Sequence, residues 1–217
     1  VVVLQEIENE NVLRALADAL GPAYGVRVLG ETFAPASMDV ALLARGELQV
    51  VRRHRDMPLP LPGGGETRFT RELLEVHLQV QGAPLIVFAA HFRSKVDDEP
   101  ERRLAEAIAA QQIVTDVAEA HPEAMVLLAG DLNDEPGSPP LDALEVRGEL
   151  ERITADLPPG DAWTFRYRGQ GILIDHIFRA RAAAGRYVQG SVRALNDDLG
   201  YPGSDHAAVT ARFDLPP

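Results

Sequence analysis
Met125-Val-Leu-Leu-Ala-Gly-Asp-Leu-Asn-Asp-Glu-Pro-Gly-Ser138 runs from an uninterrupted apolar segment into a cluster of carboxylates with one amide. Met125 to Ala129, bounded by Pro122 and Gly130, is short and apolar and suits a strand covered on both faces. Side chains on an extended chain repeat every second residue, so Asp131 and Asn133 share one side. Pro136 and Gly137 end the element and leave its polar groups on a loop with a rigid support. Taken alone, Asp131, Asn133 and Asp134 describe a solvated turn. The rest of the chain decides against that reading.

Four other segments place an acid or an imidazole in or at the end of an expected strand. The apolar run Val1 to Gln5 ends in Glu6, and Pro84 to Ala90 ends in His91. Ile172 to Phe178 carries Asp175 within it, and Asp205-His206 opens the run from Ala207 to Phe213. Carboxylates gathered at one place repel one another unless a cation holds them. The set therefore predicts a hard-metal site with oxygen ligands and water, which suits Mg2+ or Mn2+ better than a structural zinc, with histidines alongside for a second task.

Leu4-Gln5-Glu6, His91-Phe92-Arg93-Ser94-Lys95, Gly130-Asp131-Leu132-Asn133-Asp134-Glu135-Pro136, Ile174-Asp175-His176-Ile177 and Ser204-Asp205-His206 occur in this order. Together they resemble the endonuclease/exonuclease/phosphatase superfamily of magnesium-dependent phosphoesterases, over Glu6 to His206. The segment from His91 to Lys95 is most similar to a bacterial branch that contains secreted deoxyribonucleases, which usually show His-Phe-Lys-Ser-Lys there. The resemblance implies an α/β fold, a four-layer α/β sandwich in which two mixed β-sheets pack face to face with helices outside. The site then lies where strand ends of both sheets converge.

The resemblance also implies roles. Glu6 and Asp205 help hold Mg2+ (or Mn2+), directly or through water. Asp131 orients or deprotonates the attacking water, and Asn133 hydrogen-bonds the phosphate or the nucleophile. His206 donates to the phosphate while Asp175 fixes its ring and raises its pKa, and His91 is a second donor. Arg71 stands where relatives often have an arginine and is expected to contact substrate. The implied activity is phosphodiester hydrolysis, with DNA as the substrate from the branch resemblance. The alternatives are a phosphatase or a lipid or small-molecule phosphodiesterase on the same scaffold, or a noncatalytic binding domain. Binding alone requires no such set of acid, amide and two histidines. Members of the family normally carry an earlier strand and an asparagine near the metal, and neither can be placed here. The branch points to a secreted or periplasmic protein, although no signal peptide precedes Val1 in the sequence.

Composition sets the frame. The 217 residues suit one domain, 1–217, acting as a monomer, and no polar linker divides them. No apolar run of membrane-spanning length occurs. Cysteine is absent, which excludes disulfides and cysteine-ligated zinc. A net charge of −12 weighs against a nonspecific grip on nucleic acid over the whole surface but leaves room for a local basic strip. Of the 21 basic residues only Lys95 is lysine, and it falls within the His91 segment, where a compact ammonium suits a phosphate.

Elsewhere the pattern predicts a helix over 9–20, capped by Asn9 and stopped by Gly21, with Val12, Leu13, Leu16 and Leu20 on its buried stripe. Strands are expected over 38–44 and 47–52, followed by the basic group Arg52-Arg53-His54-Arg55, read as a solvated edge or a phosphate contact. In the alternating segment 73–80, Leu74, Val76, Leu78 and Val80 share one face, and His77 faces water with Glu75 and Gln79. A long helix after Pro100 is expected to bury Leu104, Ala107, Ile108, Gln111, Val114 and Val117. Residues 141–156 read as irregular helix, Trp163 to Tyr167 as a strand with Trp163 in packing, and Asn196, Asp197 and Asp198 as a solvated loop.

Overall fold
The computed structural model describes residues 1–32, 38–96, 98–196 and 204–217. From the N-terminus come β1 (Val2–Ile7), α1 (Glu10–Leu20), β2 (Val26–Gly30), β3 (Asp39–Ala44) and β4 (Glu47–Arg53). A small ribbon, β5 (Leu59–Pro60) with β6 (Glu66–Thr67), precedes β7 (Leu74–Val80) and β8 (Ala83–His91). Then follow α2 (Pro100–Ala120), β9 (Met125–Asp131), α3 (Pro139–Leu144) and β10 (Leu150–Arg152). The hairpin β11 (Phe165–Tyr167) and β12 (Gln170–Ile172) leads into β13 (Asp175–Ala180). Short pairs close the chain: β14 (Arg186–Tyr187) with β17 (Phe213–Asp214), and β15 (Arg193–Leu195) with β16 (Ala208–Thr210).

The layers follow from which faces are apolar. β3 is buried along its whole length because it is the middle strand of a three-stranded sheet, β1-β3-β2, covered on both sides. Val40, Leu42 and Ala44 meet Leu74, Val76, Leu78, Val87 and Met125 of the larger sheet, while Ala41 and Leu43 meet Leu13 and Ala17 of α1. The larger sheet has six strands in the order β10-β13-β9-β8-β7-β4, and its outer face packs on α2 and α3 through Phe88, Leu128, Phe178, Ala110, Val114 and Leu141. The result is the expected four-layer α/β sandwich. The smaller sheet is antiparallel throughout, and the larger is mixed through its one parallel pair, β8 with β9.

Helix α1 starts and stops as read: the Asn9 side chain accepts from Asn11 N and Val12 N, and Gly21 takes a φ of 102°. Its stripe is narrower than expected. Leu13 and Ala17 are buried, whereas Val12 and Leu20 are exposed, since the sheet beneath is three strands wide. On α2 the expected Ala107, Gln111 and Val114 are buried, but the packed face is turned slightly, adding Ala105, Ala110 and Ala118 and leaving Ile108 in solvent. Small side chains let this helix approach closely, and their weak hydrophobicity hid part of the face from periodicity.

His77 is not solvated. It is buried with Glu75, which is bound by Arg52, His54 and His77 together, and the His121 ring meets His77 edge-on. Burial alone would raise the Glu75 pKa, but these three hydrogen bonds outweigh it and hold the carboxyl below its usual range. The basic group 52–55 is thus largely spent on internal partners: Arg53 and Arg55 donate to the Leu29 and Thr32 carbonyls. Within 141–156 the structure adds the edge strand β10, and the expected strand 172–178 divides, with β12 ending at Ile172 and β13 starting at Asp175. Asn196 donates to the Asp161 and Trp163 carbonyls, whereas Asp197 and Asp198 lie outside the described residues.

Candidate active site
Two registers bring the site together. In the parallel pair β8–β9, His91 lies opposite Asp131, and in the antiparallel pair β9–β13, Asp175 also lies opposite Asp131. One row across three strands therefore carries an imidazole and two carboxylates. The close approach of β8 and β9 depends on Gly130, which has a φ of 149° and where a Cβ would collide with the Ala90 carbonyl oxygen. Beyond Asp131 the chain folds back on itself: Asn133, at a φ of 54°, donates its N–H to Asp131 Oδ1 at 2.8 Å. Its Nδ2 donates to Asp131 Oδ2 at 3.1 Å and to the Phe92 carbonyl at 3.2 Å. Asparagine tolerates this left-handed backbone better than most residues.

His206 reaches the row from the C-terminal segment. Its Nδ1 donates to Asp175 Oδ2 at 2.8 Å, and Asp131, Asp175 and His206 offer donor atoms all within 4.8 Å of one another. Burial disfavours the imidazolium, but the Asp175 hydrogen bond and charge, with Asp131 and Asp205, outweigh it and bring the pKa up to about 9. His206 is charged at neutral pH, and no hydrogen bond engages its Nε2 among the described residues. Asp131 moves the other way from an ordinary acid: burial first, then the Asp175 charge, push its carboxyl well above the usual range. His91 is neutral, because burial and the charges of Arg71 and His206 bring it down to about 3, and its Nε2 stands 3.4 Å from Asp131 Oδ2.

Arg71 is buried beside this group, donating Nη1 to the Phe92 carbonyl at 3.0 Å. Burial lowers its pKa against the raising charges of Glu106, Asp131 and Glu6, so Glu6 acts on the same pocket. Glu6 itself is exposed, on a bulge of β1 where the register with β3 shifts, at a φ of 58°. Asp205 is exposed next to His206. Neither joins the three-residue donor group among the described residues. Lys95 is engaged too: its Nζ pairs with Asp134 Oδ1 at 2.8 Å, and Arg103 holds the other oxygen at 2.8 Å.

The two carboxylates of this group, but not the charged His206, fit a hard divalent cation. Two carboxylates that face each other across paired strands and disfavour each other's charge are what such an ion relieves, and Mg2+ asks for one or two carboxylates plus water. Two residues that support the site escaped the sequence reading. The Thr164 hydroxyl oxygen accepts from Ile174 N and Asp175 N, and its carbonyl accepts from Ala207 N, so one threonine ties the Asp175 and His206 segments together. His176 points away from Asp175, donates Nε2–H to the Asp134 carbonyl and accepts at Nδ1 from Thr154; burial brings it down to about 4 and keeps it neutral. Thr164 left no signal in spacing, and His176 was visible only as the neighbour of Asp175.

Comparison with known proteins places the family and the fold. The model of the Endonuclease/Exonuclease/phosphatase family matches residues 1–206. No curated protein matches the chain significantly in sequence. Among solved structures, the human Nocturnin catalytic domain with bound sulfate anion is 17% identical at a TM-score of 0.74, over 98% of this chain and 80% of its own. Truncated TDP2 of Caenorhabditis elegans is 16% identical at a TM-score of 0.70, over 98% and 83%. D. rerio TDP2 complexed with single strand DNA product is 16% identical at 0.71, over 98% and 85%.

Proposed function
The chain belongs to the Endonuclease/Exonuclease/phosphatase family, whose members hydrolyse phosphoester bonds, and from that premise we propose that it is a divalent-metal-dependent phosphodiester hydrolase that cleaves DNA. The observation that carries this is the juxtaposition of a carboxyl poised to take a proton, Asp131, with a charged imidazole held by a second carboxylate, His206 on Asp175. DNA as substrate is supported by the resemblance of His91 to Lys95 to the deoxyribonuclease branch and by the DNA product in the D. rerio TDP2 structure.

In this reading Asp131 accepts the proton of the attacking water as its oxygen bonds to phosphorus, and the P–O bond to the leaving sugar oxygen breaks, that oxygen taking a proton from solvent. A pKa raised toward neutrality suits a general base. His206 presents Nε2–H to a nonbridging oxygen and counters charge that grows in the transition state. Asn133 positions Asp131 by two hydrogen bonds, which extends its expected role toward the nucleophile. His91, buried beside Asp131, would be a second donor to the phosphate, and Arg71 a substrate contact. Mg2+ or Mn2+ would be held by Glu6, with Asp205 through water, beside the Asp131 and Asp175 carboxylates, and when bound it would supply charge neutralisation at the phosphate and the leaving oxygen. Lys95 meets substrate by exchanging Asp134 for a phosphate. The protein acts as a monomer, with secretion or a periplasmic location following from the branch resemblance.

The test is hydrolysis of supercoiled plasmid beside a generic phosphodiester and a phosphomonoester, with Mg2+, Mn2+ or chelator. Expected is metal-dependent nicking that falls by at least ~10^3 in Asp131→Ala, in line with loss of a general base. Diester or monoester turnover without nicking would move the substrate to a lipid, a small molecule or a phosphatase reaction. Absence of turnover in folded protein would overturn the hydrolase reading.

A further inference from the structure
Beside the site, the hairpin β11–β12 breaks a local rule that its packing does not explain. Its two-residue turn, Arg168-Gly169, has φ of 49° and 83°, the backbone that matches strand twist and ordinarily selects Asn-Gly. An arginine there costs about 1–2 kcal/mol of left-handed strain. Among the described residues no carboxylate offsets that cost. The Arg168 guanidinium lies over the Tyr167 ring at 5.1 Å, and that of Arg166 over the Trp163 ring at 4.3 Å. By contrast Arg52, Arg103, Arg152 and Arg179 are each paired with an acid. Every residue from Arg166 to Gly171 is exposed. Two guanidiniums thus lie on aromatic faces of one exposed hairpin with no acid partner among the described residues, on a chain of net charge −12; Arg45 over Tyr24 is a third such pair, but at the smaller sheet away from His206.

The hairpin is built onto the reacting centre. Its first residue, Phe165, pairs with His206 as an isolated bridge, and their rings lie 4.9 Å apart. Thr164, just before it, binds the Asp175 and Ala207 backbones. Trp163 is seated on Gly171, where a Cβ would come within 2.7 Å of the ring, so the platform under Arg166 is fixed. At about 3.4 Å per strand residue, the turn projects roughly 10 Å beyond Phe165.

We propose that β11–β12 is a strand-binding arm for single-stranded polynucleotide: Arg166 and Arg168 hold phosphates flanking the scissile one, and Tyr167 stacks on an unpaired base. This rests on the phosphodiesterase reading and names its substrate class. A guanidinium paired with an exposed aromatic is the combination that follows a flexible strand without reading its sequence, and a base inside a duplex offers no free face to Tyr167.

The experiment measures anisotropy of a fluorescein-labelled thymidine oligonucleotide, with chelator present, across a salt series, and separately the turnover of the oligonucleotide relative to bis(4-nitrophenyl) phosphate with Mg2+. Arg166→Gln/Arg168→Gly is expected to weaken binding on the order of tenfold, to reduce the slope of log affinity against log salt by about 1.4, and to lower the turnover ratio accordingly. Arg168→Gly alone should weaken binding while raising the melting temperature, because it relieves the turn; a merely structural arginine would move both downward. Unchanged affinity and salt slope in the variants, tighter binding of duplex than of single strand, or no oligonucleotide binding by the wild type would each overturn the arm. If neither substrate is turned over yet the variants still lose affinity, the hydrolase reading fails and the arm stands.

Discussion

Asp175 shows how much one carboxylate decides. It lies at the start of β13 opposite Asp131 and holds His206 Nδ1, so it raises the pKa of both neighbours, one by repulsion and one by attraction. The His206 pair favours the protonated ring, and that charge is present below about 9 and lost as pH rises through it. In Asp175→Asn the ring should titrate near an ordinary histidine, about 6.5. We therefore expect activity of the variant to fall off from about pH 6.5 upward, with at least a tenfold loss at pH 8 relative to wild type, measured as a pH–rate profile. An unchanged profile would remove the pair from the mechanism. Asp131 and His206 were readable in the sequence because each closes or opens an apolar run, and Asp175 because it interrupts one; the resemblance supplied their pairing. The engagement of Lys95 by Asp134 was not readable, since it depends on how two loops come to rest against α2.

At the scale of elements, the strands that carry the site were found by their apolar runs, and α1 by its caps, because these signals are local. The signals that failed depend on neighbours. Alternation in β7 located its two faces but not what covers them, and Glu75 and His77 are bound by Arg52 of β4 and Glu75 also by His54 just after it. The phase of α2 was read only in part: Ala107, Gln111 and Val114 are buried as expected, but further alanines widen the packed face and Ile108 lies outside it. The contact of β8 with β9 is the most demanding in the site, for it sets the spacing of His91 from Asp131. Gly130→Ala combines a φ of 149° with a collision on the Ala90 carbonyl. It should destabilise the protein on the order of 3 kcal/mol or more, read as a shift in the urea midpoint, and should reduce activity in the fraction that still folds. A variant of wild-type stability would mean that the two strands can separate without cost.

For the whole molecule, the four layers follow from which strands are apolar on both faces, and the sequence carried that much; the division into sheets of three and six strands depends on long-range pairing that no single segment encodes. The sheets meet through apolar side chains such as Leu42 and Val87, contacts that resist separation but give little direction. Glu6 belongs to the smaller sheet and Asp131 to the larger. On the proposed assignment, an ion held by Glu6 beside Asp131 would be a ligand of the folded state alone, so chelation would lower stability. Free Mg2+ at one hundred times its dissociation constant should add about 2.7 kcal/mol to stability. Calorimetry of wild type and Glu6→Gln with Mg2+ and with chelator checks this, and equal responses would place the ion on one sheet. By this linkage the cation proposed for the site would also rivet the two sheets together.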